Sequence, residues 1–420
     1  MLKNQFKKSE RKKEVVVSRG KNPPYNFSLV ESPTPTRLMT FLSHHSEFQK
    51  LVRINNYTKK FNGNSNVVIG YEYVGDNWIS LLDHINGEIP NKQNQYLLID
   101  DTYEGLLDQE KVDIIKNLVT DQFKDVLIVT SNHKLQDEKV VIFNIHLFSN
   151  NYDNIDVKNT PLQLNNNLRS KKYLCLNRQE RVHRLKTIEF LQNKNLLDCG
   201  YVSCGIGDYK YVLQAGLDKS KITREIELRP YIDQQFLNFD LSYKTKKDLA
   251  NILPLNLDLD DTLRNRTYKN LPNIQHYYDD SYFSIVTERD FFTDKYYGFT
   301  EKVMKCFLYG HPFIVIGLPY TLDILKDYGF LSFNGFIDES YDRIQDHNLR
   351  FKAASQEIQR LCNLNQNQLH FMYEDMMPII EHNYNNYQTL IKEVHPKELI
   401  TVLAKWFGED FLSEKEYLNL

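Results

Sequence analysis

Cysteines are few in this sequence, and none is paired by spacing. The five (Cys175, Cys199, Cys204, Cys306 and Cys362) are odd in number and include no C-x-x-C. That argues against a disulfide or zinc framework and for buried thiols in a reducing compartment. No run of about 18 apolar residues exists, so no membrane-spanning helix is expected. The opening residues carry no apolar core of the kind a secretion signal needs, and a cytoplasmic location is the expectation. An excess of either charge is lacking too. The 52 Lys and Arg stand against 55 Asp and Glu, a net charge of −3, which gives no global reason to expect nucleic acid. Internal repeats at periods of about 20–50 residues, coiled-coil heptads and low-complexity runs are absent. What remains is ordinary globular composition over 420 residues, 41% hydrophobic and 25% charged. That is long enough for two domains with cores of their own.

Taken in order, residues 1–20 carry Lys3, Lys7, Lys8, Arg11, Lys12 and Lys13. They read as a solvated basic start, or more sharply as a patch for phosphate or a membrane surface. Pro23, Pro24, Pro33 and Pro35 make an extended lead-in, so residues 1–35 are set apart as a basic N-terminal segment. From 36 to 150 apolar runs alternate with helical spacing. Strands are expected at 67–71, 96–99, 126–130 and 140–143, and helices at 40–52, 78–84 and 109–119. This is the pattern of a Rossmann-like domain. The Asn-rich stretch 151–170 reads as a linker. A second Rossmann-like domain is expected over 171–390, and a helix with Leu399, Val402, Leu403 and Trp406 on one stripe within 391–420. The fold class is therefore α/β, two Rossmann-like domains facing a cleft.

The stretch 282–350 organises the second half. Phe283 to Thr287 is a strand candidate that ends at Glu288. Thr300-Glu301-Lys302 opens a helix, and Pro312 to Gly317 is a β-branched run suited to a strand buried on both faces. Ligands of parallel sheets sit beyond the carboxyl ends of the strands. Earlier, the turn from Asn177 to Arg184 places Arg178, Arg181, His183 and Arg184 between a strand and a helix. Such a turn suits a diphosphate, although a solvated basic turn has the same composition. Thr300 is a good N-cap, and Glu301 is good first-turn chemistry without any function. Lys302 is harder to dismiss, because a cation near a helix N-terminus is unfavourable unless an anion offsets it. In the first half, Asp100, Asp101 and Glu104 follow a strand. They read either as a helix-start cluster or as a source of a general base. Asp258 and Asp260, and Asp100 with Asp101, keep a metal-dependent alternative open.

The run from Phe283 to Gly317 resembles the α-1,3-fucosyltransferase-like and exostosin-like glycosyltransferases of the two-Rossmann-domain (GT-B) type. Thr287-Glu288 stands for that family's strand end, Tyr296-Tyr297-Gly298 for its loop, and Phe299-Thr300-Glu301-Lys302 for its Val-Thr-Glu-Lys. Arg289 stands where the family has Asn, and the loop is longer. Leu176-Asn177-Arg178 before and Asp338-Glu339-Ser340-Tyr341-Asp342 after are similar to glycosyltransferase-like proteins of phage and virus genomes. The resemblance covers about residues 172–350. It implies an inverting, metal-independent transfer of a sugar from a nucleotide diphosphate, GDP- or UDP-linked, to a glycan or other hydroxyl. It implies a donor site at Asn177, Arg178, Arg184, Glu288, Tyr297, Thr300, Glu301 and Lys302, with Arg184 and Lys302 on the diphosphate and Glu301 on the ribose or sugar. A base would come from the first half, at Glu104 or Asp101. No cofactor beyond the donor is implied. Two alternatives stand beside this one: a glycosyltransferase acting on modified bases of viral DNA, and a non-catalytic sugar- or nucleotide-binding module.

Overall fold

The computed structural model describes residues 28–31, 53–55, 67–72, 96–148, 161–205, 249–255, 274–391 and 395–407, apart from a few positions inside those ranges such as 103–104, 178–180 and 293–294. The Lys-rich start, the helices expected over 40–52 and 78–84, Glu104, Arg178, Asp258 and Asp260 lie outside the described residues. In chain order the strands and helices are β1 (Ser28–Glu31), β2 (Arg53–Asn55), β3 (Val67–Glu72), β4 (Tyr96–Asp101), α1 (Gln109–Val119), β5 (Asp125–Thr130), β6 (Val140–Ile142), β7 (Lys171–Asn177), α2 (Val182–Asn193) and β8 (Gly200–Cys204). They continue as α3 (Gln275–Asp279), β9 (Ser281–Thr287), α4 (Glu301–Leu308), β10 (Phe313–Ile316), α5 (Thr321–Asp327), α6 (His347–Asn363), α7 (Gln366–Thr389) and α8 (His395–Phe407).

These form an α/β structure with two sheets. The first has the order β2-β1-β3-β4-β5-β6 and the second β10-β9-β7-β8. Every pairing within them is parallel. Read from its own first strand, each sheet places its second strand on one side and its third on the other. Each therefore reverses direction once, between β1 and β3 and between β7 and β9. Crevices for ligands open at such reversals, beyond the carboxyl ends of the strands. Strand β1 lies before residue 36, where the first domain was expected to begin. A four-residue strand between prolines gives too short an alternation to read.

Burial follows the two-residue period of the strands. Leu97, Ile99, Val126 and Ile128 pack with Val112, Ile115 and Val119 of α1 in one cluster. Leu98, Leu127 and Val129 point the other way and join the large core of the second sheet, together with Phe143, Ile145 and Leu147. Strand β9 is buried at all seven positions and β10 at all four, as a central parallel strand demands. The two sheets therefore share a core along one face of the first sheet. Helix α8 adds Leu399 and Leu403 to it. The indole Nε1 of Trp406 donates to Asp125 Oδ2 at 2.9 Å. Trp406→Phe keeps an aromatic ring, smaller than the indole, and removes this bond. It should cost about 1 kcal/mol in urea unfolding. A change indistinguishable from zero would mean that the α8 contact is apolar only.

Candidate functional site

The carboxyl ends of β7 and β9 meet at the reversal of the second sheet. Asn177 ends β7, and its Oδ1 accepts the Thr287 hydroxyl at the end of β9. Arg184, on the first turn of α2, reaches beneath β9, where Nη2 donates to the carbonyls of Glu288 (3.1 Å) and Thr287 (3.4 Å). His183 donates through Nε2 to the same Glu288 carbonyl at 2.8 Å, with its ring stacked on Phe291. Burial, then Arg184, push that imidazole down to about 3, so it is neutral at physiological pH.

Beyond Glu288 the chain leaves the sheet and returns at Thr300. Glu288 closes this excursion. Its Oε1 accepts the Thr300 amide at 3.0 Å, and its Oε2 accepts the Thr300 hydroxyl and the Arg289 amide. Thr300 is the N-cap of α4 by position, but its hydroxyl goes to Glu288 and caps no helix amide. Glu301 and Lys302 follow, both about a quarter exposed. Lys302 Nζ lies 3.1 Å from Glu301 Oε1 and 3.0 Å from Thr300 Oγ1. The cost of a cation at this helix end is thus offset from within the chain. Burial works against charge on Glu301, yet Lys302, Lys305 and His146 hold its carboxyl well below the usual carboxylate range.

The excursion is stapled to the first sheet. The Tyr297 amide donates to Asn132 Oδ1 at 3.1 Å, and its carbonyl accepts from the His133 amide at 2.9 Å. Asn132 Nδ2 donates to Leu107 (2.7 Å) and Lys295 (3.3 Å) carbonyls. Gly298 permits the approach, since a Cβ there would sit 3.2 Å from the Ser131 carbonyl oxygen. The loops after β5 and β6 thereby face the loop after β9, and a crevice with about 310 Å³ of empty space, part of it open to solvent, lies between them. Its walls include Ser131 and His146 from the first sheet and Glu288, Arg289, Asp290 and Tyr296 from the second. The part of it that can hold a water-sized probe is about 20 Å³, room for roughly one water molecule and far below the about 300–1,000 Å³ of small-ligand sites. Burial opposes the charge of Asp290, but Arg289 and Arg181 hold it down at about 2.

The expected site residues thus divide. Asn177, Arg184, Glu288, Tyr297, Thr300, Glu301 and Lys302 gather at the reversal and the excursion beside it. Two of them have less access than the expectation needs. Arg184 is 4% exposed and fastens the end of β9, where a diphosphate would need an open guanidinium face. Asp101 is fully buried, with Oδ2 accepting from the Leu107 amide (3.1 Å) and the Thr130 hydroxyl (2.7 Å). It shapes the loop after β4 and lacks the access of a general base. The sequence reading missed His146, on the 3₁₀ turn Ile145–Phe148. The signal available was its place just past the end of an apolar strand, the same rule that picked out Glu288.

Among the described residues no three His, Cys, Asp or Glu side chains group as metal ligands would, and no helix is long and apolar enough to cross a membrane. Comparison with models of known protein families gives no match, and comparison with curated proteins gives none.

Proposed function

We propose that this chain is a glycosyltransferase of the two-domain GT-B type, which moves a sugar from a nucleotide diphosphate donor, GDP- or UDP-linked, to an acceptor hydroxyl with inversion. One observation carries the reading. The strand reversal of the second sheet brings Asn177, Glu288, Thr300, Glu301 and Lys302 to one edge, and the carboxyl-end loops of the first sheet face that edge across a crevice. This is where an α/β structure places a nucleotide, and where two sheets can each present one substrate. In this scheme Lys302 lies against the departing diphosphate and stabilises its growing charge. Glu301 meets the donor ribose or sugar. Arg184 acts as a positioning residue, holding the Thr287–Glu288 backbone in place. The acceptor hydroxyl enters from the first sheet, and no metal is required.

The burial of Asp101 favours a second reading, a nucleotide- or sugar-binding module without turnover. The transferase reading requires nucleotide binding. A ligand that binds only the folded state at about a hundredfold excess over its Kd adds about 2.7 kcal/mol of stability. One of GDP, UDP, ADP, CMP and TDP should therefore raise the melting temperature, and Lys302→Ala should abolish that rise. No rise with any of the five would sink the nucleotide-sugar reading and favour the binding module. A rise without release of nucleoside diphosphate from the matching nucleotide sugars would favour the binding module.

A further inference from the structure

We propose that Lys295–Gly298 is a strap that shuts this site, and that it must release, drawing Tyr296 out, before a ligand can enter. The inference rests on the nucleotide-sugar reading for what enters, and on the fold alone for the release. A space of about 20 Å³ admits one water molecule and no nucleotide sugar. The conformation described is therefore a closed one. Parting the two sheets would break the core in which Leu98, Leu127 and Val129 lie together with the residues of β7, β9 and β10. A local release avoids that cost.

The ties between the strap and the first sheet are polar. Asn132 Oδ1 accepts the Tyr297 amide at 3.1 Å, and the Tyr297 carbonyl accepts the His133 amide at 2.9 Å. The Lys295 carbonyl accepts from Asn132 Nδ2 at 3.3 Å. Lys295 Nζ lies 3.1 Å from Asp108 Oδ2, with the lysine side chain 65% exposed. Lys134 Nζ lies 5.1 Å from the centroid of the Tyr297 ring. Water replaces such bonds at small net cost, which it cannot do for apolar packing. The half-buried Tyr297 ring has Tyr320 as an aromatic neighbour, 5.3 Å between centroids, and that contact lies within the second half. Phe291 and Phe299 stay in the core on either side of the strap.

Tyr296 acts as the plug. It lines the crevice, is 8% exposed and belongs to neither apolar cluster. Its hydroxyl accepts from Arg289 Nη2 at 3.3 Å and donates to the Asp290 carboxylate. A ring seated on charged partners can be exchanged for a ligand that brings hydroxyls or phosphate oxygens of its own.

Amide hydrogen exchange on the full chain tests the release without any ligand. The His133 and Tyr297 amides should be protected at least about 100-fold less than those of Ser284 and Glu288, which donate to the Pro312 and Ile316 carbonyls. Gly298→Val sets a larger side chain where a Cβ alone would sit 3.2 Å from the Ser131 carbonyl oxygen, and should lower both protections a further tenfold or so, about one or two hydrogen bonds' worth. Should that variant not fold, Lys295→Ala removes the exposed ion pair with Asp108 and should lower them about twofold. Equal protection at the four amides, or no change in the variant that folds, would overturn the strap. GDP and UDP then test the occupant. Whichever raises the melting temperature should lower protection at His133 and Tyr297, because it binds the released form, and should bind Gly298→Val up to about tenfold more tightly. Higher protection with nucleotide, or weaker binding by Gly298→Val, would overturn the strap as a gate. Binding of neither nucleotide, with His133 and Tyr297 still poorly protected, would overturn the nucleotide-sugar reading and uphold the strap.

Discussion

Replacing Arg350 with methionine should lower the free energy of unfolding by about 4 kcal/mol. Arg350 projects from the first turn of α6 into the second half and is 3% exposed. Nε donates to the Gly317 carbonyl (3.1 Å), Nη1 to those of Ile344 (2.7 Å) and Gln345 (2.9 Å), and Nη2 to that of Phe291 (2.7 Å). Its guanidinium also lies 4.7 Å from the Phe291 ring centroid. One side chain thus joins the end of β10, the loop before α6 and the excursion after β9. Methionine fills much of the volume and leaves four carbonyls without a donor. Each orphaned group costs about 1–3 kcal/mol, partly offset by relief of a buried charge that burial has already pushed down to about 10. Asp290 and Leu318 line the crevice next to two of these anchors. The variant should therefore also lose nucleotide-dependent stabilisation, even where it remains folded. Urea unfolding is the measurement. A loss below about 1 kcal/mol would mean that water or a shifted loop satisfies the carbonyls.

Asp342→Asn should raise stability at alkaline pH and do progressively less as pH falls. The residue before helix α5, Tyr320, has φ 63° and provides no side-chain cap. Asp342, from the 3₁₀ turn Ser340–Arg343, supplies one instead, as its Oδ2 accepts from the Leu322 amide at 2.9 Å. The group is 3% exposed. Burial pushes its carboxyl up to about 7, against the Leu322 bond and with help from Asp323 and Glu339. Its folded pKa therefore lies above the unfolded value near 3.9, and the native state holds the extra proton between the two. The stability gained is complete below about pH 4 and is lost as pH rises through about 7. Asparagine accepts from Leu322 and does not ionise. Relative to wild type it should gain about 3 kcal/mol between pH 5 and pH 8.5. Equal differences at both pH values would show that Asp342 is ionised throughout. Arg350 bears on Asp342 as well, so the two substitutions should not add.

Much of the second half can be read from residues alone, because two of its strands, β9 and β10, are buried at every position. Continuous runs such as Ser281–Thr287 and Phe313–Ile316 leave few alternatives to a central parallel strand. Helix α4 begins where Thr300-Glu301-Lys302 places it, and α1 spans the expected 109–119. Strands β1 and β2, of four and three residues, are too short to carry a period. The site is less legible, for a different reason. Burial of a polar side chain depends on what the rest of the chain lays over it. Asp101 looks like a carboxylate at a strand end, and only the Leu107 amide and the Thr130 hydroxyl, both donating to it, show it sealed. Thr300 looks like a cap, and only Glu288, twelve residues back, reveals where its hydroxyl goes. His146 stands in no motif, and only α4, encoded more than 150 residues later, brings Glu301 beside it.

The contact between Trp406 and Asp125 joins positions 281 apart in the chain. At the ribosome this separation becomes a delay. With synthesis at about 5–20 residues per second, the first sheet emerges roughly 15–55 s before α8 can reach it. Throughout that interval the shared core that takes in Leu98, Leu127 and Val129 lacks Leu399 and Leu403. A nascent chain stalled before residue 395 should leave the α8 side of that core open to a chaperone, and release of α8 should end the association.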